Sequence, residues 1–315
     1  MSIQIKSLID KYNKITVLSH INPDADTIGT ALGIYTLLKG IKKQVEVVNA
    51  EKHLPKHLDF LPNFSKIKNQ IDFDDSLIIS CDCASIGRLG IDLRNRDIVN
   101  IDHHKSNTNY GMLNIVKPTY LSASQVAFEL FRDDFIMNKE IIICFYTALV
   151  SDTQYFTTNG VTKEVFDVAS DMIAYDIDIS KVTYNLNQRR SLTSLRILTS
   201  TLGTLELHHN GQIATMIANR IKMKEAGAEI IDTVGMVDHA IALVTVKIAI
   251  VLIELKGTIR ASIRSKGVDV SGLAVSFGGG GHQNASGFEL KAESNRLLLN
   301  KLLQKINKME LLNET

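Results

Sequence analysis

Short apolar runs rich in β-branched residues recur through the first half of the chain, at residues 15–18, 45–48, 77–79 and 98–101. Each is apolar over most of its length rather than alternating strictly with polar residues, which predicts strands buried on both faces. Between the first two, Ile28, Leu32, Tyr35 and Leu38 fall on one face of a helix over residues 27–39. A further helix-like run covers residues 141–150. Strand, helix, strand in that order predicts an α/β domain with a doubly wound, mainly parallel sheet through about residue 185, helices covering both faces.

Beyond that point the pattern changes. Residues 185–199 are polar, include Arg189 and Arg190, and regain helical spacing at Leu192, Leu195 and Leu198, which predicts a connecting helix. Residues 205–207 and 213–217 flank His209-Asn210-Gly211, whose Asn-Gly pair supplies the positive φ angles of a hairpin turn. Residues 246–255 and 258–263 predict a second hairpin through Lys256-Gly257. Leu297, Leu298, Leu299, Leu302 and Leu303 predict a core-facing C-terminal helix. The expected organisation is a first domain over residues 1–185, a helical linker over 186–199 and a smaller α/β C-terminal domain over 200–315, with an active-site cleft between the two domains.

Composition narrows the partners. Thirty-five basic residues against 34 acidic ones leave a net charge of +1, so no global field gathers long duplex nucleic acid. Aromatics at 6%, with no Trp and no basic aromatic stripe, argue against a single-strand binding platform. Residues 1–14 read as a small amphipathic helix rather than a signal peptide. The most apolar stretch, 240–255, is broken by Lys247 and falls short of the ~18 residues of a membrane span. These features predict a soluble, cytoplasmic protein with no membrane partner; the oligomeric state stays open, a homodimer included. Cys81, Cys83 and Cys144 fit neither a disulfide framework nor a zinc ribbon and read as buried thiols.

The chemistry sits at the ends of the apolar runs. His20, Asp24 and Asp26 follow the first, with Pro23 bending the loop between them. Asp82 follows the third, Asp102-His103-His104 the fourth, and Asp152 the helical run. In a parallel sheet such ends gather at the C-terminal edge, where ligands bind. Carboxylates and imidazoles without thiolates suit divalent cations, Mn²⁺ first, with Mg²⁺, Fe²⁺ or Co²⁺ as substitutes. One Asp-x-Asp alone is more often a helix cap or turn. Four clusters at four element ends together predict a two-metal phosphoesterase centre. His53, His57, His208, His209 and His239 read as surface or capping residues.

A second string, Phe277-Gly278-Gly279-Gly280-Gly281-His282, carries four consecutive glycines at a large entropic cost. Bare backbone N–H groups there predict an anion-binding nest, with His282 as a further donor. Upstream, Arg260, Ser262 and Arg264 alternate along a strand and share one face, where an arginine forks onto phosphate oxygens.

With these motifs the chain resembles the DHH phosphoesterases that carry the DHH-associated C-terminal domain, in the nanoRNase and pAp phosphatase group related to the RecJ exonuclease. The resemblance covers nearly the whole chain, with Ala25 standing where many relatives have Gly. It implies one Mn²⁺ held by His20, Asp24 and Asp82 and a second by Asp26, Asp82, His103 and Asp152, Asp82 bridging. It further implies that Asp102 orients an imidazole, that His104 lies beside the metals, touching the substrate phosphate or one of the metal ligands, and that Ser262, Arg264, Gly279, Gly280, Gly281 and His282 grip the substrate. The implied reaction is hydrolysis of short oligoribonucleotides such as pApA to nucleoside monophosphates, and of pAp to AMP, by metal-activated water. Closure about residues 185–199 would favour short substrates. Cyclic di-AMP is the alternative substrate. A manganese pyrophosphatase is disfavoured because its C-terminal Ser-Arg-Lys-Lys-Gln string is lacking, and a non-enzymatic phosphate-binding module because no expected ligand has been lost.

Overall fold

Each apolar run of the first half becomes a strand in a computed structural model of the chain, which describes residues 2–291 and 294–312. The strands are β1 (Lys14–Ser19), β2 (Gln44–Asn49), β3 (Ile67–Lys68), β4 (Leu77–Cys81), β5 (Ile98–Asp102) and β6 (Leu113–Val116). They form one sheet in the order β3-β2-β1-β4-β5-β6, parallel throughout. The order reverses between β1 and β4, so the connections leaving those two strands diverge and open a crevice at the C-terminal edge. The N-terminal helix runs Ser2–Lys11; Met1, included in its expected span, lies outside the described residues.

The helix Ala25–Gly40 departs from its expected one-sided pattern. Ala25 through Leu38 are all buried, because the helix packs on β1, β2 and β4 and also against the helices Ala123–Phe131 and Lys139–Asp152. A Cβ at Gly33 would lie 2.3 Å from the Phe145 ring, so only glycine lets these helices approach so closely.

The chain divides into two compact units, Met1–Arg189 and Arg190–Thr315. The division splits the stretch expected to be one helical linker. The helix Ile179–Asn187 closes the first unit, where Arg189 forks onto Asp59 and reaches Asn185 Oδ1 at 3.2 Å. The helix Leu192–Leu202 belongs to the second unit and buries Ile197 in its core.

The second unit is built on β7 (Glu206–His208), β8 (Ile213–Ala218), β9 (Ile248–Glu254), β10 (Ile259–Ser265), β11 (Gly280–His282) and β12 (Ala285–Leu290), in the order β11-β12-β10-β9-β8-β7. The pair β8 and β9 is parallel and the others antiparallel. Both expected hairpins are present, with His209, Asn210 and Gly211 at φ 52°, 53° and 82° and Gly257 at 89°. The C-terminal helix Asn295–Lys308 buries Leu298, Leu299, Leu302 and Ile306; Leu297, expected in the core, is 44% exposed. Among the described residues no helix is long and apolar enough to cross a membrane, and the three cysteines are buried and free.

Candidate metal centre

The predicted residues of the first unit converge where the strand order reverses. His20 leaves β1, Asp82 follows β4 and His103 follows β5. Asp24 caps the helix Ala25–Gly40 by accepting from Thr27 N at 3.0 Å, and its other oxygen lies 3.9 Å from His20 Nε2. Asp24 is thus both the cap that a lone Asp-x-Asp suggests and a member of the cluster. Asp26 sits in the first turn of that helix, and Asp152 ends the helix Lys139–Asp152.

Two donor sets result, sharing Asp82. Its Oδ2 lies 3.4 Å from His20 Nε2, and its Oδ1 lies 3.4 Å from His103 Nε2. His103 Nε2 is also 3.8 Å from Asp26 Oδ2 and 3.4 Å from Asp152 Oδ2. Two donors on one ion, each at about 2.1 Å and about 90–110° apart, lie roughly 3.0–3.4 Å from each other. The three spacings of 3.4 Å match that range, those of 3.8 and 3.9 Å correspond to wider angles of about 130–136°, and all are long for hydrogen bonds. Asp82 Oδ1 is buried without a hydrogen bond of ordinary geometry, and the residue is held at φ 54°. A buried carboxylate oxygen of that kind is costly unless a cation meets it. The residues therefore fit one divalent ion at His20, Asp24 and Asp82 and another at Asp26, Asp82, His103 and Asp152.

The imidazoles are set for this role by their other nitrogens. His20 Nδ1 lies 2.8 Å from the Ile21 carbonyl and His103 Nδ1 lies 3.1 Å from the Tyr120 carbonyl, so a proton on each Nδ1 has an acceptor and each Nε2 is the atom that would meet a cation held among the carboxylates. His104 differs. Its Nδ1 donates to Asp102 Oδ1 at 2.7 Å, which commits that nitrogen to Asp102 although Asp82 Oδ1 lies only 3.5 Å away. Asp102 also accepts from His103 N at 2.8 Å and from Asn107 Nδ2 at 2.5 Å.

Without cations the cluster is in electrostatic conflict. Burial, then the neighbouring Asp82 charge, pushes Asp26 well above the usual carboxylate range; burial and Asp26 do the same to Asp152. Burial would also raise Asp82, but His103 and His20 overcome it and hold its carboxyl down. Burial would lower the three imidazoles. Asp82 outweighs it for His20 and His103, and Asp102 for His104, so all three hold their protons more tightly than a free histidine.

In the second unit, burial alternates along β10 so that Arg260, Ser262 and Arg264 share the half-exposed face. Register carries that face across the sheet. Ser262 pairs with Gly287, and Gly287 with Gly280; Arg264 pairs with Ala285, and Ala285 with His282. The glycine string is thus not the continuous loop that a nest requires: Gly280–His282 is an exposed edge strand, paired through β12. Within the string, Gly278 is needed for its φ of 80°, and Gly279 because a Cβ would lie 2.1 Å from the Gly287 carbonyl. A Cβ at Gly280 would meet nothing within 4 Å.

Sequence reasoning missed the groups that hold the ligands. Asp26 accepts from Ala123 N at 2.7 Å and Ser124 N at 3.2 Å, the first turn of a helix, and from Thr30 Oγ1 at 3.1 Å. Backbone donors leave no residue-type signature. Asn107 was open to suspicion only as a polar residue a few positions beyond His104.

Residues 14–149 match the DHH family, N-terminal domain, and residues 208–308 match the DHHA1 domain. The bifunctional oligoribonuclease and PAP phosphatase NrnA of Thermus thermophilus is 29% identical over 286 residues, covering 88% of this chain and 84% of that one. Its namesake from Bacillus subtilis is 24% identical, covering 95% and 96%. An exopolyphosphatase-related protein from Bacteroides fragilis shares the fold with a TM-score of 0.86 at 24% identity, covering 98% of this chain and 96% of that one. All of the cluster but Asp152 falls inside the first matched domain and the Arg264 face inside the second, so the chain belongs to the DHH family of metal-dependent phosphoesterases, in the nanoRNase group that carries the DHHA1 domain.

Proposed function

We propose that this protein hydrolyses short oligoribonucleotides such as pApA to nucleoside monophosphates, and pAp to AMP, with two Mn²⁺ ions as cofactors and Mg²⁺ or Co²⁺ as substitutes. The observation that carries the reading is Asp82, a buried carboxylate whose two oxygens each face a different imidazole at 3.4 Å. The names of the Thermus thermophilus and Bacillus subtilis relatives support the substrate class.

Two divalent cations held by His20, Asp24, Asp26, Asp82, His103 and Asp152 would supply an activated water and positive charge for the phosphoryl group. The chain's own residues do the rest. Asp102 fixes the His104 ring through Nδ1, so His104 acts on the substrate through Nε2, steadying a phosphoryl oxygen or handing a proton to the leaving oxygen. Arg264 and Ser262 hold a further phosphate by charge-assisted hydrogen bonds. Gly279 and the bare edge strand Gly280–His282 lie on the same sheet, across β12 from them, and Gly280 has no packing reason to be glycine, which fits close approach by a ligand.

Product analysis of the purified protein in Mn²⁺ tests this, with pApA, a five-residue RNA, cyclic di-AMP, pAp and pyrophosphate in parallel and a chelator control. Chelator-sensitive AMP release from pApA and pAp is the expected result. Preferential opening of cyclic di-AMP would replace it with a cyclic dinucleotide phosphodiesterase, and inertness toward every substrate would overturn it.

A further inference from the structure

Arg264 has a neighbour that a phosphate site would ordinarily exclude. The helix Met236–Ile241 packs on β9 and β10, and from it Asp238 brings Oδ1 to 3.3 Å from Arg264 Nε. The Nε atom is buried and makes no hydrogen bond of ordinary geometry, so the carboxylate is its electrostatic partner. Arg264 Nη1 donates to the Ile263 carbonyl at 3.3 Å. A negative charge here reduces the net attraction for phosphate. What it supplies is direction: a long side chain otherwise free to sample rotamers is held at Nε and Nη1, and Nη2 remains at the outer edge of the guanidinium. The Arg264 side chain is 31% exposed, consistent with a stem fixed in the structure and a tip in reach of a ligand.

We propose that Asp238 is a positioning residue for substrate capture, holding the Arg264 guanidinium so that its outer edge meets a substrate phosphate. This rests on Arg264 contacting substrate. Asp238 acts through Arg264 alone, and its removal frees a rotamer-rich side chain that substrate must then order at its own expense.

The test is a double-mutant cycle on pApA hydrolysis in saturating Mn²⁺. Asp238→Ala should raise KM about 3- to 10-fold, the range expected for one side chain that must be immobilised on binding, with kcat within about twofold. Asp238→Glu should recover part of the loss. In an Arg264→Ala background the Asp238→Ala change should have no further effect on KM, and Mn²⁺ binding and the melting temperature should match the parent in each case. If Arg264→Ala raises KM while Asp238→Ala leaves it unchanged or lowers it, the positioning role is overturned and the substrate role of Arg264 survives. If Arg264→Ala itself leaves KM unchanged, both are overturned. Additive effects of the two changes would also overturn the proposal, because Asp238 would then act without Arg264.

Discussion

The carboxylate and imidazole cluster of the first unit and the glycine and arginine face of the second keep their polar groups in opposite ways. His20, Asp26, Asp82 and His103 are at most 8% exposed, and like charges crowd one another with only imidazoles between them. Gly280, Gly281 and His282 are exposed, and Arg264 already has a counter-charge in Asp238. The first site stores a conflict that divalent ions resolve, so its residues are chosen by the metal. The second stores none, so where a residue there lacks an internal reason, its identity points to the ligand.

The largest expected effect comes from Asp82. Asp82→Asn keeps the shape and removes the charge facing both donor sets, so turnover should fall by at least about 10³-fold, the upper range for loss of one preorganised electrostatic group. Bound Mn²⁺, counted by metal analysis, should fall with it. Near-parental turnover with full metal content would break the view that Asp82 joins the two donor sets.

Withdrawing the metal should then show which unit carries the conflict. In the metal-free protein, Asp26, Asp152, His20, His103 and His104 all bind protons more tightly when folded than when unfolded. The folded state therefore holds more protons across pH 5 to 8, and stability must decline as pH rises through that window. Asp82 and Asp102 shift downward; their stabilising contribution is present above the unfolded carboxylate pKa and is constant across the window. Chelated protein should accordingly melt at a lower temperature at pH 8 than at pH 5.5, and Mn²⁺ at about 100 times its Kd should restore ~2.7 kcal/mol for each ion bound at pH 8. Mn²⁺ uptake should also release protons, measurable by calorimetry in buffers of different ionisation enthalpy. A chelated protein whose stability rises with pH would contradict this.

Much of this contrast was legible in the sequence, and the reasons differ by site. The four central strands of the first unit announced themselves because burial on both faces demands mostly apolar, β-branched runs, whereas the short edge strands β3 and β6 carry no such run and were not read. The metal ligands announced themselves because acids and imidazoles at apolar run ends have few other uses. The supports of those ligands were hidden: the Ala123 and Ser124 amides are invisible to residue type, and Asn107 looks like any loop asparagine. Burial of the helix Ala25–Gly40 on all sides was hidden too, since one-sided periodicity does not reveal packing from two further helices. The glycine string was legible as special, yet its strand pairing depends on β12, a tertiary partner. The helix Leu192–Leu202 read as a linker because its polar start outweighed Ile197, which the second unit buries.

Glycines of that string sharpen the comparison at smaller scale. Gly279→Ala should destabilise the second unit by about 1–3 kcal/mol, because the new methyl group collides with the Gly287 carbonyl and Phe288. Gly280→Ala should leave the melting temperature unchanged and raise KM roughly 10-fold, since the methyl group meets open space in the folded chain and overpacks only a bound ligand. Equal effects of the two on stability, with KM untouched by the second, would remove the argument that Gly280 answers to a ligand.

The smallest effect separates backbone strain from metal chemistry in the first unit. Directly after Asp152 and Thr153, three non-glycine residues in a row take left-handed backbone, Gln154 at φ 47°, Tyr155 at 60° and Phe156 at 62°. Left-handed L-residues cost about 1–2 kcal/mol each and ordinarily occur singly. The turn is held by Thr153, whose hydroxyl accepts from Phe156 N at 3.2 Å, and by Tyr155 N donating to the Val150 carbonyl at 2.8 Å. Gln154→Gly removes one such penalty and gives back part of it through the freer unfolded chain, for a net gain of about 0.5–1 kcal/mol. The melting temperature should rise by about 1–4 °C. If kcat also stays within about twofold, the turn serves only to end the helix after Asp152; a larger fall in kcat at unchanged metal content would mean that the strained turn holds Asp152 in its working position.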